Sequence, residues 1–213
     1  MSDNNKTNAK DRLPIGQKVA VGAGGFPIQN GGLIVQYMAQ PIFQIFLGLN
    51  PALFGLAMTI PRIWDAFTDP LMGRISDRSQ SRYGRRRPYV FIGAFLMAVS
   101  FISIWMVPDN MSDMGILFWL TIGSVLFFTA FTIYSVPFNA LVYEQTPDYH
   151  ERTRLMFYLA LFYNIGNLCV NWYVPATSWS GFENPLAGAR WIALGLSLAV
   201  FLGLGILPAI FGK

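Results

Sequence analysis

The sequence predicts an all-α membrane protein with six transmembrane helices, and its composition, hydropathy and charge distribution all favour this fold class. Of the 213 residues, 54% are hydrophobic and 12% are charged, whereas an ordinary soluble domain has roughly 25% charged residues. The mean hydropathy is +0.42. Six apolar segments are each long enough to cross a bilayer core of about 30 Å. They cover approximately residues 18–47, 52–75, 88–107, 115–142, 154–177 and 188–211.

The basic residues predict how these segments are oriented. All except Arg62 and Arg190 fall on one side of the predicted membrane, and cytoplasmic loops carry the excess of lysine and arginine. We therefore expect a multi-pass protein of the plasma (inner) membrane with both termini in the cytoplasm, which explains the net charge of +4 without a nucleic-acid partner. Residues 1–17 form the predicted cytoplasmic tail, and residues 18–213 form one six-helix transmembrane domain. The cytoplasmic basic residues are Lys6, Lys10, Arg12, Lys18, Arg74, Arg78, Arg82, Arg85, Arg86, Arg87, Arg152, Arg154 and Lys213.

Three charged residues interrupt the second apolar segment, in the string RIWDAFTDP at 62–70. Arg62, Asp65 and Asp69 are spaced by three and four residues, so they share one helical face. Each charge facing lipid would cost about 2.5 to 3.5 kcal/mol, so this face must look into protein or a water-filled cavity. One positive and two negative groups leave the cluster short of one positive charge, which a proton or a sodium ion would supply. A static salt bridge that locks helix packing is the alternative.

The sequence offers little for metal, redox or catalytic chemistry. Cys169 is the only cysteine and His150 the only histidine, so neither a disulfide framework nor a zinc site is predicted. Intramembrane aspartyl proteases place their two carboxylates on different helices that face one another. Asp65 and Asp69 lie on one predicted helix, and we therefore expect a protein that is not an enzyme and has no cofactor.

Two stripes of amide side chains follow the first and fifth predicted helices. Each amide offers both donors and an acceptor, which suits a hydroxyl-bearing or zwitterionic ligand. Hydrogen bonding between helices, which Asn and Gln commonly make in membranes, is an equally good interpretation. The first stripe contains Gln29, Gln36, Gln40 and Gln44 with Tyr37 beside them, and the second contains Asn164, Asn167 and Asn171.

The loop GRISDRSQSRYGRRRP at 73–88 predicts a cytoplasmic gate. Asp77 is able to cap a helix end or pair with an arginine, and a charge-assisted cluster of this kind would hold two helix bundles together until it is broken. Ordinary anchoring by cytoplasmic basic residues is compatible with the same loop. The predicted gate residues are Gly73, Asp77, Arg82, Gly84, Arg85, Arg86 and Arg87.

Prolines followed by amides occur in the first and fourth segments. Pro27 precedes Gln29 and Asn30, and Pro137 precedes Asn139. Transporters place broken helices at equivalent positions of inverted repeats, so this pattern predicts a three plus three repeat.

Two strings resemble a known transporter family. RIWDAFTDPLMGRISDRSQSRYGRRRP closely resembles the second helix and following loop of the glycoside-pentoside-hexuronide cation symporters, the melibiose permease group of the major facilitator superfamily. TIYSVPFNALVYEQTPDYHERTRL, from Thr132, is similar to the fourth helix and its loop. The resemblance covers about residues 18–211 and implies the N-terminal six-helix half of the superfamily fold. It also implies that Asp65 and Asp69 bind the coupling cation and that Thr132 supplies a hydroxyl nearby.

Four departures from melibiose permease concern the substrate more than the cation. Ser135 stands where that protein has an acidic residue, Gln29 where it has a sugar-binding aspartate, and Asn139 where it has a sugar-contacting tryptophan. Ala160 aligns with an arginine of its fifth helix. The resemblance therefore implies a substrate other than a galactoside, and one carboxylate fewer slightly favours protons over sodium as the coupling ion.

We expect this chain to be the N-terminal half of a cation-coupled (proton or sodium) symporter for a sugar or related polar solute. A truncated product or gene fragment would explain six helices where the family has about twelve. Alternatives are a half-size homodimeric transporter and a non-transporting assembly or regulatory subunit. The expected partners are the solute, membrane lipid, and a C-terminal half or a second copy. The expected cation site is Asp65, Asp69, Thr132 and Ser135 with Arg62 for charge balance, and the expected substrate-lining residues are Gln29, Asn30, Gln36, Tyr37, Gln40, Asn139, Asn164 and Asn167.

Overall fold

A computed structural model describes residues 12–79, 81, 82, 84–108 and 111–212, and every regular element within these ranges is helical. The predicted all-α class is therefore confirmed. Most of the predicted tail, with Lys6 and Lys10, lies outside the described residues, as does Lys213. The elements are α1 Ile15–Ala23, α2 Gly25–Ala39, a π-helix Gln40–Phe46, α3 Pro51–Arg78, α4 Arg87–Trp105, α5 Asp113–Glu144, α6 Tyr149–Thr177, α7 Pro185–Leu196, a second π-helix Ser197–Leu204 and α8 Gly205–Phe211.

Three helical runs in the described part of the chain are long and apolar enough to cross a membrane: α4, α5 and the run Pro185–Phe211. Helices α3 and α6 have 28 and 29 residues, which at 1.5 Å per residue is also sufficient length, but their polar side chains lower their hydropathy. Each of the six predicted segments overlaps a helical run, and most of these runs begin or end a few residues outside the predicted bounds. The count of six spans and the three plus three repeat stay predictions.

Asparagine, serine and aspartate side chains cap the N-termini of α3, α5, α6 and α7. Asn50 accepts a hydrogen bond from Ala52 N at 2.8 Å, and Asn184 accepts one from Ala187 N at 2.8 Å. These caps satisfy backbone donors that have no partner inside the helix. Asp148 caps α6 in the same way through Glu151 N, so α6 begins at Tyr149 rather than near residue 154 as predicted.

The first predicted segment, residues 18–47, contains α1, α2 and the first π-helix rather than one regular helix, and the sequence pattern at Pro27 predicted a broken helix here. It breaks at Gly24, where an added Cβ would overlap both the Phe138 ring and the Pro208 side chain. It ends as a π-helix that contains Pro41. Proline has no N–H, so it cannot donate the backbone hydrogen bond of an α-helix. The hydrogen bonds of the π-helix here join residues five apart instead of four.

Helices α4 and α5 pack closely at the centre of the chain. A Cβ added at Gly93 would lie 2.6 Å from the backbone nitrogen of Tyr134, so only glycine permits this approach. The rings of Phe101 and Phe127 are 5.5 Å apart, and Phe201 joins them from the second π-helix. Helix α3 packs chiefly on α5, while α6 packs on α1, α2 and α7. Both α3 and α6 leave most of their surface open, with only a few buried residues in each.

Candidate functional site

The charged residues of α3 meet α5 through a hydrogen bond between a hydroxyl and a carboxylate. Thr132 Oγ1 donates to Asp69 Oδ1 at 2.7 Å, and the Thr132 side chain is almost completely buried. Asp69 itself lies on the exposed part of α3. The structure thus brings together two of the residues that the resemblance implied for the cation site.

Asp65 lies one turn before Asp69 and contains an oxygen without a hydrogen-bond donor. Its side chain is 19% exposed, and Oδ2 lies 3.9 Å from Arg62 Nη1. Within the described ranges, the buried Oδ1 has no hydrogen-bond partner. An unsatisfied buried oxygen is costly, and more so on a carboxylate. A bound cation would satisfy it.

Arg62 is held by two other helices as well as by Asp65. Its Nη2 donates to the carbonyl of Gly32 on α2 at 3.2 Å, and its guanidinium lies 4.6 Å from the ring centre of Phe128 on α5. These contacts hold the guanidinium 3.9 Å from Asp65, which is beyond hydrogen-bond distance. A cleft of about 270 Å³ adjoins it, lined by Gln36, Met58, Thr59, Arg62 and Phe128.

Ser135 is buried on α5, three residues after Thr132. Carboxylate and hydroxyl oxygens are ligands suited to hard cations. The described residues contain no group of three His, Cys, Asp or Glu side chains that could hold a metal ion. A cation at this place would therefore need hydroxyls in addition to the two carboxylates.

The two amide stripes approach each other between α2 and α6. Gln29 Nε2 donates to Asn167 Oδ1 at 3.4 Å. Asn30 is different, because it is fully buried, donates to Phe26 O and accepts from the Tyr173 hydroxyl at 2.8 Å. The amide of Asn30, predicted to line the substrate path, is instead engaged in hydrogen bonding between α2 and α6. The predicted lining residues that lie exposed are Gln36, Tyr37, Gln40, Asn139, Asn164 and Asn167.

The predicted gate contains a cluster of ion pairs that joins the ends of three helices. Arg86 Nη2 lies 2.7 Å from Asp77 Oδ1 and 3.3 Å from Glu144 Oε1, and Arg85 also pairs with Glu144. The ends of α3, α4 and α5 are therefore tied to one another within this chain. Sequence reasoning missed Glu144, although an acidic residue at the end of the fourth segment was a visible signal.

The other predicted gate residues have separate positions. Gly84 has a φ of +100°, which favours glycine, and an added Cβ would lie 3.3 Å from Arg87 Cδ. A Cβ added at Gly73 would lie 3.9 Å from Val136 Cγ1 of α5, so α3 and α5 approach each other there. Arg82 is exposed, and Arg87 is the half-buried first residue of α4.

A second ionic cluster, which the sequence did not predict, joins α1 to α6. Glu151 is fully buried, pairs with Lys18 and Arg154, and accepts a hydrogen bond from Leu13 N at 3.1 Å. Glu151 lies outside the predicted membrane segments. Burial alone would raise the pKa of Glu151, but the hydrogen bonds from Lys18, Leu13 N–H and Arg154 lower it below its ordinary value.

Comparison with known proteins finds a matching family model and several similar symporters. Residues 20–212 match the family model described as MFS/sugar transport protein. The chain is 33% identical over 164 residues to "Uncharacterized symporter YnaJ" of Bacillus subtilis, covering 77% of this chain and 35% of that protein. It is 32% identical over 148 residues to "Sodium-dependent lysophosphatidylcholine symporter 1" of Mus musculus, covering 67% and 28%.

A third relative is similar along most of the chain. "Putative glycoside/cation symporter YagG" of Escherichia coli is 28% identical over 198 residues, covering 90% of this chain and 42% of that protein. The chain therefore spans less than half the length of each of these relatives.

Proposed function

Since the chain belongs to the MFS/sugar transport protein family, we propose that it provides the coupling site of a cation symporter for a sugar or related polar solute. The observation that carries this proposal is the meeting of α3 and α5. The Thr132 hydroxyl donates to Asp69 there, and one turn away the buried Asp65 Oδ1 has no donor within the described part of the chain. The family match supports transport, and the site supports coupling to a cation.

The proposed cation binds between the carboxylates of Asp65 and Asp69. Arg62 lies 3.9 Å from Asp65 and is shared with Gly32 and Phe128, so the pair of carboxylates keeps an excess of negative charge. A proton would neutralise one carboxylate. A sodium ion would draw oxygens from both carboxylates and from Thr132, whose hydroxyl has lone pairs as well as a proton. Ser135 would add a further hydroxyl from the same helix.

The exposed amides provide the proposed substrate surface. Gln36 and Gln40 of the first run and Asn139 of α5 offer donors and acceptors without formal charge, which suits the hydroxyl groups of a sugar. YagG is named as a glycoside/cation symporter, and the mouse relative as a lysophosphatidylcholine symporter. We favour the sugar because the family model is that of a sugar transport protein and YagG, similar along most of this chain, is named for glycosides.

Transport also requires a second wall for the substrate path. The open faces of α3 and α6 carry Asp69, Asn164 and Asn167. Exposed polar groups at membrane depth face a cavity or another protein surface. We propose that a C-terminal half or a second copy of this chain covers these faces, and that one half rocks against the other during transport.

The test uses membrane vesicles that contain this chain alone, or this chain together with the C-terminal half proposed above. A sodium gradient and a proton gradient are imposed separately, and accumulation of labelled glycosides is measured. Asp65→Asn should abolish accumulation driven by the coupling ion while the protein still inserts. The matched control is Asp113→Asn, because Asp113 is an exposed carboxylate in the first turn of α5. Undiminished accumulation by Asp65→Asn would overturn the coupling proposal.

A further inference from the structure

A groove runs along the outside of the bundle between the beginning of α4 and the end of α8. Its volume is about 530 Å³, and its walls are apolar except at one end. Phe91 and Ile92 are each about half exposed, and Ile210 is 60% exposed. None of the residues lining the groove is acidic. They are Arg87, Pro88, Phe91, Ile92, Ala209 and Ile210.

Arg87 places a positive charge at the mouth of this groove. It is the last of three consecutive arginines, of which Arg85 and Arg86 pair with Glu144. Within the described ranges, Arg87 has no ion-pair partner. The bend at Gly84, with its positive φ, precedes the three arginines. The chain thus uses two adjacent arginines to join helices and leaves the third beside the groove.

The two helices that form the groove belong to runs apolar enough to cross a membrane, α4 and Pro185–Phe211. The groove lies where the first begins and the second ends, so it opens at the end of the bundle that contains the arginine-rich loop. Exposed apolar walls at that depth adjoin lipid tails, and Arg87 reaches the level of the headgroups.

We propose that this groove binds a phospholipid with an acidic headgroup from the membrane leaflet on the arginine-rich side. Arg87 contacts the phosphate, which its planar guanidinium matches through two parallel hydrogen bonds. One acyl chain lies along Phe91, Ile92 and Ile210. Basic pockets between transmembrane helices on the cytoplasmic side bind acidic headgroups, and charge complementarity selects this occupant. The groove is separate from the cation site, because neither α3 nor α5 lines it.

Measurement of lipid binding to the purified chain tests whether the charge of Arg87 contributes to that binding. Native mass spectrometry in a mild detergent would compare phosphatidylglycerol with phosphatidylcholine of the same acyl chains. Arg87→Gln should weaken phosphatidylglycerol binding about fivefold, the change expected for one basic residue at a membrane surface. The control is Arg78→Gln, which removes an exposed arginine at the end of α3, away from the groove. Equal losses in both variants, or no preference for phosphatidylglycerol, would overturn the proposal.

A second variant and a crosslink test the apolar part. Ala209→Phe would fill the groove without changing charge, and it should also weaken phosphatidylglycerol binding while the circular dichroism spectrum stays helical. A photoreactive phenylalanine analogue replacing Phe91 should form an adduct with the mass of a phospholipid when membranes are irradiated. An adduct with a polypeptide would show that protein covers the groove and would contradict lipid binding.

Discussion

The hydroxyl of Thr132 on α5 donates a 2.7 Å hydrogen bond to Oδ1 of Asp69 on α3. The two residues are 63 positions apart in sequence, so the bond exists only because α3 packs on α5. It ties the most exposed carboxylate of the charged face to a buried residue. A hydrogen bond to an ionised group contributes roughly 1.5 to 3 kcal/mol, which makes this contact a strong determinant of where Asp69 points.

Removal of this hydroxyl should weaken sodium binding. Thr132→Val keeps the shape but loses a possible ligand and the bond that orients Asp69, so we expect affinity to fall about tenfold to a hundredfold. Thr132→Ser should retain most of the affinity. Binding of radiolabelled sodium would measure the effect. The control is Thr121→Val, because the Thr121 hydroxyl bonds to Leu117 O of its own helix; an equal loss there would contradict the assignment.

Glu144→Gln should destabilise the ends of α3, α4 and α5. The substitution removes the carboxylate that pairs with Arg85 and Arg86, and the Arg86 side chain is only 10% exposed. Leaving a buried charge with one partner fewer should lower the free energy of unfolding by about 1 to 3 kcal/mol. Thermal unfolding in detergent would measure this. Glu183→Gln, at an exposed carboxylate, should leave the midpoint unchanged.

The contact between α1 and α6 should weaken in acid. The hydrogen-bonded Glu151 has a pKa below its ordinary value in the folded chain. Its contribution to stability is therefore present above the unfolded pKa and is lost as pH falls through the lower, folded pKa. Hydrogen exchange at Leu13, measured from neutral pH downward and corrected for intrinsic rates, should rise in this acidic range.

Glu151→Gln provides the control for this pH effect. The variant should expose Leu13 N–H already at neutral pH, because Lys18 then lies buried without a carboxylate. Its protection should no longer depend on the titration of this side chain. An identical pH dependence in both proteins would exclude Glu151 as the titrating group.

Gly93→Ala should disrupt the packing of α4 on α5. The added Cβ would lie 2.6 Å from the backbone of Tyr134, which cannot move as a side chain does. We expect a loss of about 1 to 3 kcal/mol or more in thermal or denaturant unfolding. Gly195→Ala is the matched control, because nothing lies within 4 Å of its Cβ. Replacing glycine by alanine in a helix should stabilise the protein by roughly 0.5 to 1 kcal/mol. If both variants were destabilised equally, the close approach of α4 to α5 at Gly93 would not be the cause.

Sequence patterns predicted the helical class and much of the charged face. Helical spacing alone placed Arg62, Asp65 and Asp69 on one side of α3, since these neighbours are separated by one turn. Helical spacing did not predict the residue at which the first segment breaks. Gly24 looks like any small residue in an apolar stretch, and only the positions of Phe138 and Pro208 show that a larger side chain would not fit there.

Helical spacing within one segment does not identify partners in distant segments, and only the family resemblance indicated Thr132 beside the two aspartates. Glu144 and Glu151 carried no periodic signal, yet they organise the two ion-pair clusters at the arginine-rich end. Asn30 and Gln29 are adjacent and chemically alike. Packing buries Asn30 against Tyr173 and leaves Gln29 on the open side toward Asn167.

The sequence by itself determined the membrane class, the family and the residues able to carry charge on α3, because composition and helical spacing are local properties. The tertiary structure determined which charged side chains form hydrogen bonds or ion pairs. Among the residues that the structure describes, Asp69 gained the hydroxyl of Thr132, Asp65 kept an unsatisfied oxygen, and Arg87 stayed without an ion pair beside two arginines that are paired. These outcomes depend on distances between helices far apart in sequence, which packing sets and local patterns do not encode.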